Sequence, residues 1–217
     1  MSSNAPKIVY YFDNASSFSY LGFEFMERYK ALWGVEVEYR PFILTKVMAN
    51  AKNTFSPFKL PFLFNDIRRT SKITKIPFKG TPPKYPYDSS TALRTVEYLK
   101  NHHPELMTEA MRRLWHMEYV DCRAPESVSD VKSALDGLVD ASIVDKAVAA
   151  PETLEAVMNN TKDVTGLKGF GAPTILVYRD ANTKPQMYFG SDRFEHIADY
   201  LGKDYYPMKQ LFASPNL

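Results

Sequence analysis

The run Lys7-Ile-Val-Tyr-Tyr-Phe-Asp-Asn-Ala-Ser-Ser-Phe-Ser19 passes from an apolar, β-rich segment through a polar turn straight into a helical pattern. Residues 7–12 are β-rich and apolar enough for a central strand buried on both faces. Beyond the turn, Phe18, Leu21, Phe25, Tyr29 and Leu32 recur at three- and four-residue steps. Ser16 stands as N-cap and Gly34 as C-cap of the helix they predict. Val35-Glu-Val-Glu-Tyr-Arg40 then alternates with period two. Strand, helix and strand in so short a span make a right-handed βαβ unit, whose strands pair in parallel.

The next β-rich segments come far downstream. Thr174-Ile-Leu-Val-Tyr178 and Gln186-Met-Tyr-Phe189, joined by the polar turn Arg179-Asp-Ala-Asn182, read as a hairpin. A last helix is expected to open at Ser191 or Asp192, with Phe194, Ile197, Ala198 and Leu201 on one face. The intervening stretch is helical in pattern from about Leu63, then over 90–99, 104–116, 126–139, 142–149 and 151–162. This order is similar to the thioredoxin arrangement with helices inserted. It predicts an α/β thioredoxin-like fold with an N-terminal half at 1–64, a helical insertion at 65–165 and a C-terminal half at 166–217. The Pro-rich residues 76–87 read as an inter-helix loop, or else as a flap over a ligand or a partner motif. Residues 204–217 read as irregular.

Composition narrows the function. With 27 basic and 25 acidic residues in 217, the net charge of +2 gives no electrostatic case for nucleic acid. The single cysteine, Cys122, excludes an internal disulfide and points to a reducing compartment. No apolar run reaches the ~18 residues of a membrane span, and the N-terminus has neither signal-peptide nor transit-peptide character. The expected partners are small or neutral molecules.

At the strand-to-helix junction, disulfide-exchanging proteins carry Cys-x-x-Cys, whereas this chain has Ser16-x-x-Ser19. A hydroxyl cannot exchange disulfides, so thiol chemistry here needs a thiol brought by another molecule. Acyl transfer is not expected, because His102, His103, His116 and His196 all fall in predicted helices or their ends, with no serine-protease-like context. A helix N-terminus with a serine favours an anion such as a thiolate, although Ser16 taken alone reads first as a simple cap. Three further features bear on it. Gly169-Phe-Gly-Ala-Pro173 places a proline before a strand where a cis bond would leave the Ala172 backbone as an edge for an extended peptide. Phe189-Gly-Ser-Asp-Arg193 offers Ser191, Asp192 and Arg193 to a zwitterionic head group, or simply caps a helix. Asn53 and Lys59 can meet a carboxylate, though each alone reads as solvent-facing. Metal binding at His102 and His103 is not expected, since adjacent residues on a helix point apart. Cys122 reads as an ordinary thiol.

Tyr11-Phe-Asp-Asn-Ala-Ser-Ser-Phe-Ser-Tyr-Leu-Gly-Phe-Glu24 resembles the kappa-class glutathione transferase signature Phe-Tyr-Asp-x-x-Ser-Pro-Tyr-Ser-Trp-Leu-Gly-Phe-Glu. Arg112-Arg-Leu-Trp115 and the two motifs at 169–173 and 189–193 also have counterparts there. The resemblance implies a DsbA-like thioredoxin domain with a helical insertion, a homodimer, and glutathione as thiol substrate with no metal. It implies that Ser16 bonds the glutathione sulfur and that Ala172, ahead of cis-Pro173, pairs with the cysteinyl backbone. Ser191 and Asp192 would hold the γ-glutamyl group, Asn53 and Lys59 would complete the site, and Arg193 would reach the glutathione of the partner subunit. The implied activity is conjugation to small electrophiles, with hydroperoxide reduction beside it. A glutathione-dependent isomerase of the hydroxychromene-carboxylate type, and a non-catalytic binding protein, are the alternatives. The implied compartment is the mitochondrion, with the peroxisome or cytoplasm as alternatives. Two departures stand out: Ser17 replaces the proline of the signature and Tyr20 its tryptophan. Ser17 thereby puts a second hydroxyl beside the sulfur.

Overall fold

The computed structural model describes residues 5–54 and 58–213. A four-stranded sheet of order β2-β1-β3-β4 is built from β1 (Lys7–Phe12), β2 (Glu36–Pro41), β3 (Thr174–Tyr178) and β4 (Gln186–Phe189). β1 pairs in parallel with β2, Tyr10 facing Tyr39, and antiparallel with β3, Tyr10 facing Ile175; β3 and β4 form the hairpin. The helices are α1 (Ser17–Trp33), α2 (Leu44–Asn50), α3 (Lys59–Thr74), α4 (Ser90–His102), α5 (Pro104–Tyr119), α6 (Val128–Ala134), α7 (Ala141–Ala149), α8 (Pro151–Gly166), α9 (Phe194–Leu201) and α10 (Met208–Leu211). α3, which begins at Lys59, and α8, which ends at Gly166, bracket the helical set between β2 and β3.

β1 is apolar from Ile8 to Phe12 because it is covered on both faces. Ile8, Tyr10 and Phe12 join one core with Phe23 and Tyr29 of α1, Leu93 and Val96 of α4, Trp115 of α5 and Ile197 of α9. Val9 and Tyr11 join a second with Val47 of α2 and Val164 of α8. Trp115 is the hinge of the larger core, its ring 5.1 Å from Phe23 and 5.6 Å from both Phe12 and Tyr20. α1 lies close on the sheet at Gly22, where a Cβ would stand 2.4 Å from the Tyr10 hydroxyl and 3.4 Å from both Pro173 and Ser191.

Several elements differ from the sequence-based expectation. α2 was not foreseen, α3 starts before Leu63, α6 is shorter than 126–139, and α10 gives order to part of the irregular tail. The last helix does not open at Ser191 or Asp192: its N-cap is Arg193. The reason lies one residue upstream. Gly190 adopts φ 100° and its N–H donates to the Pro173 carbonyl at 3.1 Å, so the chain stays tied to the proline loop through a turn at Ser191 and Asp192 before the helix begins. No helix of the described residues is long and apolar enough to cross a membrane.

Candidate active site

The loop between β1 and α1 is held from every side. Its Asp13 carboxylate accepts from the Ala15 N–H at 2.9 Å and from the Leu44 N–H at 2.7 Å, and the Asp13 carbonyl accepts from the Ser16 N–H at 3.1 Å. Burial pushes the Asp13 carboxyl above its ordinary range, against the Ser89 hydroxyl and the two amides that favour its charge. The helical region supplies the rest of the clamp. Trp115 donates its indole N–H to the Asn14 carbonyl at 3.0 Å, and Tyr85 donates its hydroxyl to the Ala15 carbonyl at 2.6 Å. The Asn14 amide reaches Glu118 at 3.3 Å and Tyr87 at 3.4 Å, while Tyr87 donates to Glu118 at 2.7 Å. Glu118 is fully buried, and that burial drives its carboxyl well above the ordinary value despite the Tyr87 hydroxyl. The Pro-rich residues 76–87 are thus a loop whose Tyr85 pins the backbone ahead of Ser16 and whose Tyr87 holds the Asn14 side chain with Glu118.

So placed, Ser16 is the N-cap of α1: its hydroxyl accepts from the Ser19 N–H at 3.1 Å and donates to the Ala172 carbonyl at 3.4 Å. The Ala172–Pro173 peptide is cis. Between the N-terminal ends of α1 and α3 and the proline loop opens a cleft of about 160 Å³. Ser16, Ser17, Asn53 and Ala172 line it together with Phe18, Met48, Leu60, Leu63, Phe64, Tyr85 and Phe189. Asn53 donates to the Phe170 carbonyl at 2.9 Å, and the Phe170 and Phe189 rings stand 4.4 Å apart at the mouth. Among the described residues no Asp, Glu, Lys, Arg or His lines the cleft.

The other candidate residues lie outside it. Pro173 and Ser191 pack against Gly22, behind the cleft wall. Asp192 and Arg193 are exposed and pair with each other at 3.4 Å. Lys59, the first residue of α3, is exposed and has no ion pair among the described residues. Asp13 and Trp115 lay within motifs singled out in the sequence and Tyr85 and Tyr87 within its Pro-rich stretch, but the clamp they form with Glu118 was not foreseen, because most of its bonds join residues far apart in the chain. A larger cavity of about 500 Å³ lies farther along α1, beside Glu24, Arg28, Lys75 and Arg112. Its Arg112 is paired with Glu24 at 2.9 Å, and none of the α1 serines reaches it. Among the described residues no group of three His, Cys, Asp or Glu side chains is placed to hold a metal ion.

The family described as DSBA-like thioredoxin domain matches residues 7–202. Over 210 residues, 90% of this chain and 91% of the relative, the sequence is 31% identical to glutathione S-transferase kappa 1 of Caenorhabditis elegans. The chain belongs to the kappa glutathione S-transferase family, within the DsbA-like thioredoxin proteins. Human glutathione S-transferase kappa 1 is 27% identical over 89% of each chain. Among solved structures, 2-hydroxychromene-2-carboxylate isomerase superposes with a TM-score of 0.71 at 20% identity, over 90% of this chain and 94% of that one, a likeness of fold. In this kappa-family chain the departure at Tyr20 is a core matter. The ring is 4% exposed and stacks between Trp115 at 5.6 Å and Tyr119 at 5.8 Å. The departure at Ser17 is a matter of the cleft, which that residue lines.

Proposed function

We propose that this protein is a glutathione transferase that binds glutathione with its sulfur at the N-terminus of α1, holds it as a thiolate, and transfers it to small apolar electrophiles. The observation that carries this reading is a cleft that joins the Ser16 hydroxyl, a helix N-terminus and the Ala172 backbone without any acidic or basic side chain. With no base to accept the thiol proton, that proton goes to water, and the protein acts by favouring the charged form it leaves. A free thiol with pKa about 8.5 is ~3% ionised at pH 7; lowering it by one to two units raises that fraction to between about a quarter and three quarters. Hydrogen-bond donation and the helix terminus are the groups available for it.

In this reading the cysteinyl N–H of the substrate takes the Ala172 carbonyl, which releases the Ser16 hydroxyl to turn to the sulfur. Ser191 and Asp192 hold the γ-glutamyl head, Asn53 and Lys59 the glycyl carboxylate, and Arg193 the glutathione of a second subunit. For that to happen the exposed Lys59, Asp192 and Arg193 close around the ligand from outside the cleft. The bound thiolate then attacks an electrophilic carbon, forming the S–C bond as the leaving group departs. With a hydroperoxide it attacks the terminal oxygen, breaking the O–O bond to release the alcohol and leave a sulfenic acid on glutathione, which a second glutathione thiol converts to the disulfide with loss of water. A homodimer in mitochondria goes with this reading, supported by family membership.

Steady-state conjugation of glutathione with chlorodinitrobenzene, beside reduction of a hydroperoxide, tests it. Thioether formation that falls at least tenfold in Ser16→Ala supports the reading. Turnover of a hydroxychromene carboxylate without any thioether would instead make the protein an isomerase, and no turnover with no retention on immobilised glutathione would make it a scaffold.

A further inference from the structure

α1 begins with two adjacent serines that the fold uses differently. The Ser16 hydroxyl is engaged twice, as acceptor for the Ser19 N–H and as donor to the Ala172 carbonyl. Ser17 is just as buried, each being 5% exposed, and it lines the same cleft. Yet its hydroxyl makes no hydrogen bond within the described residues and, unlike the sealed Ser19 hydroxyl, it is not closed off from the cleft. A hydroxyl that opens on a cleft without a protein partner is left for water or a ligand to complete. Ser17 is moreover the first residue of the helix, where the backbone N–H also has no intrahelical acceptor.

We infer that Ser17 is a second donor to the substrate sulfur, so that two neighbouring hydroxyls cradle one thiolate at the N-terminus of α1. The inference rests on the glutathione-transferase reading above. The two Cα atoms are ~3.8 Å apart and both side chains open on one cleft, a spacing from which two O–H groups can converge on a single large anion. A thiolate sulfur accepts more than one hydrogen bond, and each one favours it over the thiol. Few other ionisable groups compete at this end of the helix. α2 and α3 contribute none to the cleft lining, and neither does the proline loop. The loop before α4 contributes Tyr85, whose phenol burial pushes above its ordinary value and which donates to the Ala15 carbonyl. Asp13 and Glu118 are sealed behind the loop, while Lys59 and Asp192 are exposed outside it.

The test is a pH titration of the thiolate absorbance of glutathione bound to the wild-type protein, Ser17→Ala, Ser17→Thr and Ser16→Ala, with kcat/KM for conjugation followed in parallel. Loss of one charge-assisted donor is expected to raise the midpoint by about one unit in Ser17→Ala, which is about tenfold less thiolate at any pH below both midpoints. Ser17→Thr, which keeps a hydroxyl, is expected to titrate like the wild type. Ser17→Pro, whose ring suits the first position of a helix, serves as the second hydroxyl-free variant and is expected to behave like Ser17→Ala. A Ser17→Ala midpoint equal to that of the wild type, while Ser16→Ala is shifted, overturns the inference and leaves the transferase reading standing. A wild-type midpoint equal to that of free glutathione overturns both.

Discussion

Ser16 has two duties that different substitutions separate. As N-cap it satisfies the Ser19 N–H, and caps of this kind contribute about 1 kcal/mol. In the proposed function it is also the donor that favours a thiolate. Ser16→Asp keeps the cap, since a carboxylate accepts the same N–H, but sets a negative charge against the sulfur. Because that carboxylate is buried and cannot donate to the Ala172 carbonyl, unfolding free energy is expected to fall by about 1–3 kcal/mol, while kcat/KM falls by at least a hundredfold. Chemical denaturation and steady-state kinetics on one preparation check this. Gly22 makes a second prediction at this scale. An alanine in a helix interior ordinarily gains about 1 kcal/mol over glycine. Here its Cβ would meet the buried Tyr10 hydroxyl at 2.4 Å, and that hydroxyl is held by the Ser19 carbonyl at 2.9 Å. Gly22→Ala is expected to destabilise by about 1–3 kcal/mol, as overpacking does. A midpoint of denaturation at or above the wild-type value would show that α1 can move off the sheet.

At the scale of elements, β1, α1 and the hairpin were legible because their signals are local: an apolar run, a period, a serine and a glycine at the two ends of a helix. α2 was not, for it is only seven residues long and its N-cap, Ile43, makes no side-chain cap bond. The start of α9 was misread because Ser191 and Asp192 have cap chemistry but sit in a turn that Gly190 imposes. The clamp behind Ser16 was out of reach, since Asn14 and Glu118 are 104 positions apart and only the packing of α5 against the sheet joins them. That clamp carries a pH prediction. A carboxyl whose folded pKa lies above its unfolded value of ~4.3 binds more protons when folded. Its contribution to stability is therefore fully present below pH ~4.3 and is lost as the pH rises toward the folded pKa. Glu118→Gln removes that loss while keeping an oxygen for Tyr87. Relative to wild type it should gain stability as the pH rises from about 4.3 toward the folded pKa, as read by denaturation midpoints across the range. A difference that stays constant with pH would mean that Glu118 is ionised in the folded protein.

Over the whole molecule, the larger core runs without a break from the sheet, through α1 and α5, to Val131, Val144 and Val157 of α6, α7 and α8. Thermal unfolding is accordingly expected as a single transition, seen alike by tryptophan fluorescence at Trp115 and by far-ultraviolet circular dichroism; two separated transitions would show that the helical set unfolds by itself. Glutathione, binding only the folded chain, should raise the midpoint. At ten times its Kd the gain is about 1.4 kcal/mol, or roughly 3–6 °C for a chain of this size. The candidate residues outside the cleft, Lys59, Asp192 and Arg193, belong to this scale as well. Their residue types were legible from the motifs, whereas their positions depend on where α3 and the turn after β4 come to rest. The central claim is that the α1 N-terminus holds a borrowed thiol in its charged form. The most direct measurement is the pH titration of the thiolate absorbance of glutathione bound to the wild-type protein. A midpoint one to two units below the ~8.5 of a free thiol is the predicted result, and a midpoint unchanged by binding would contradict it.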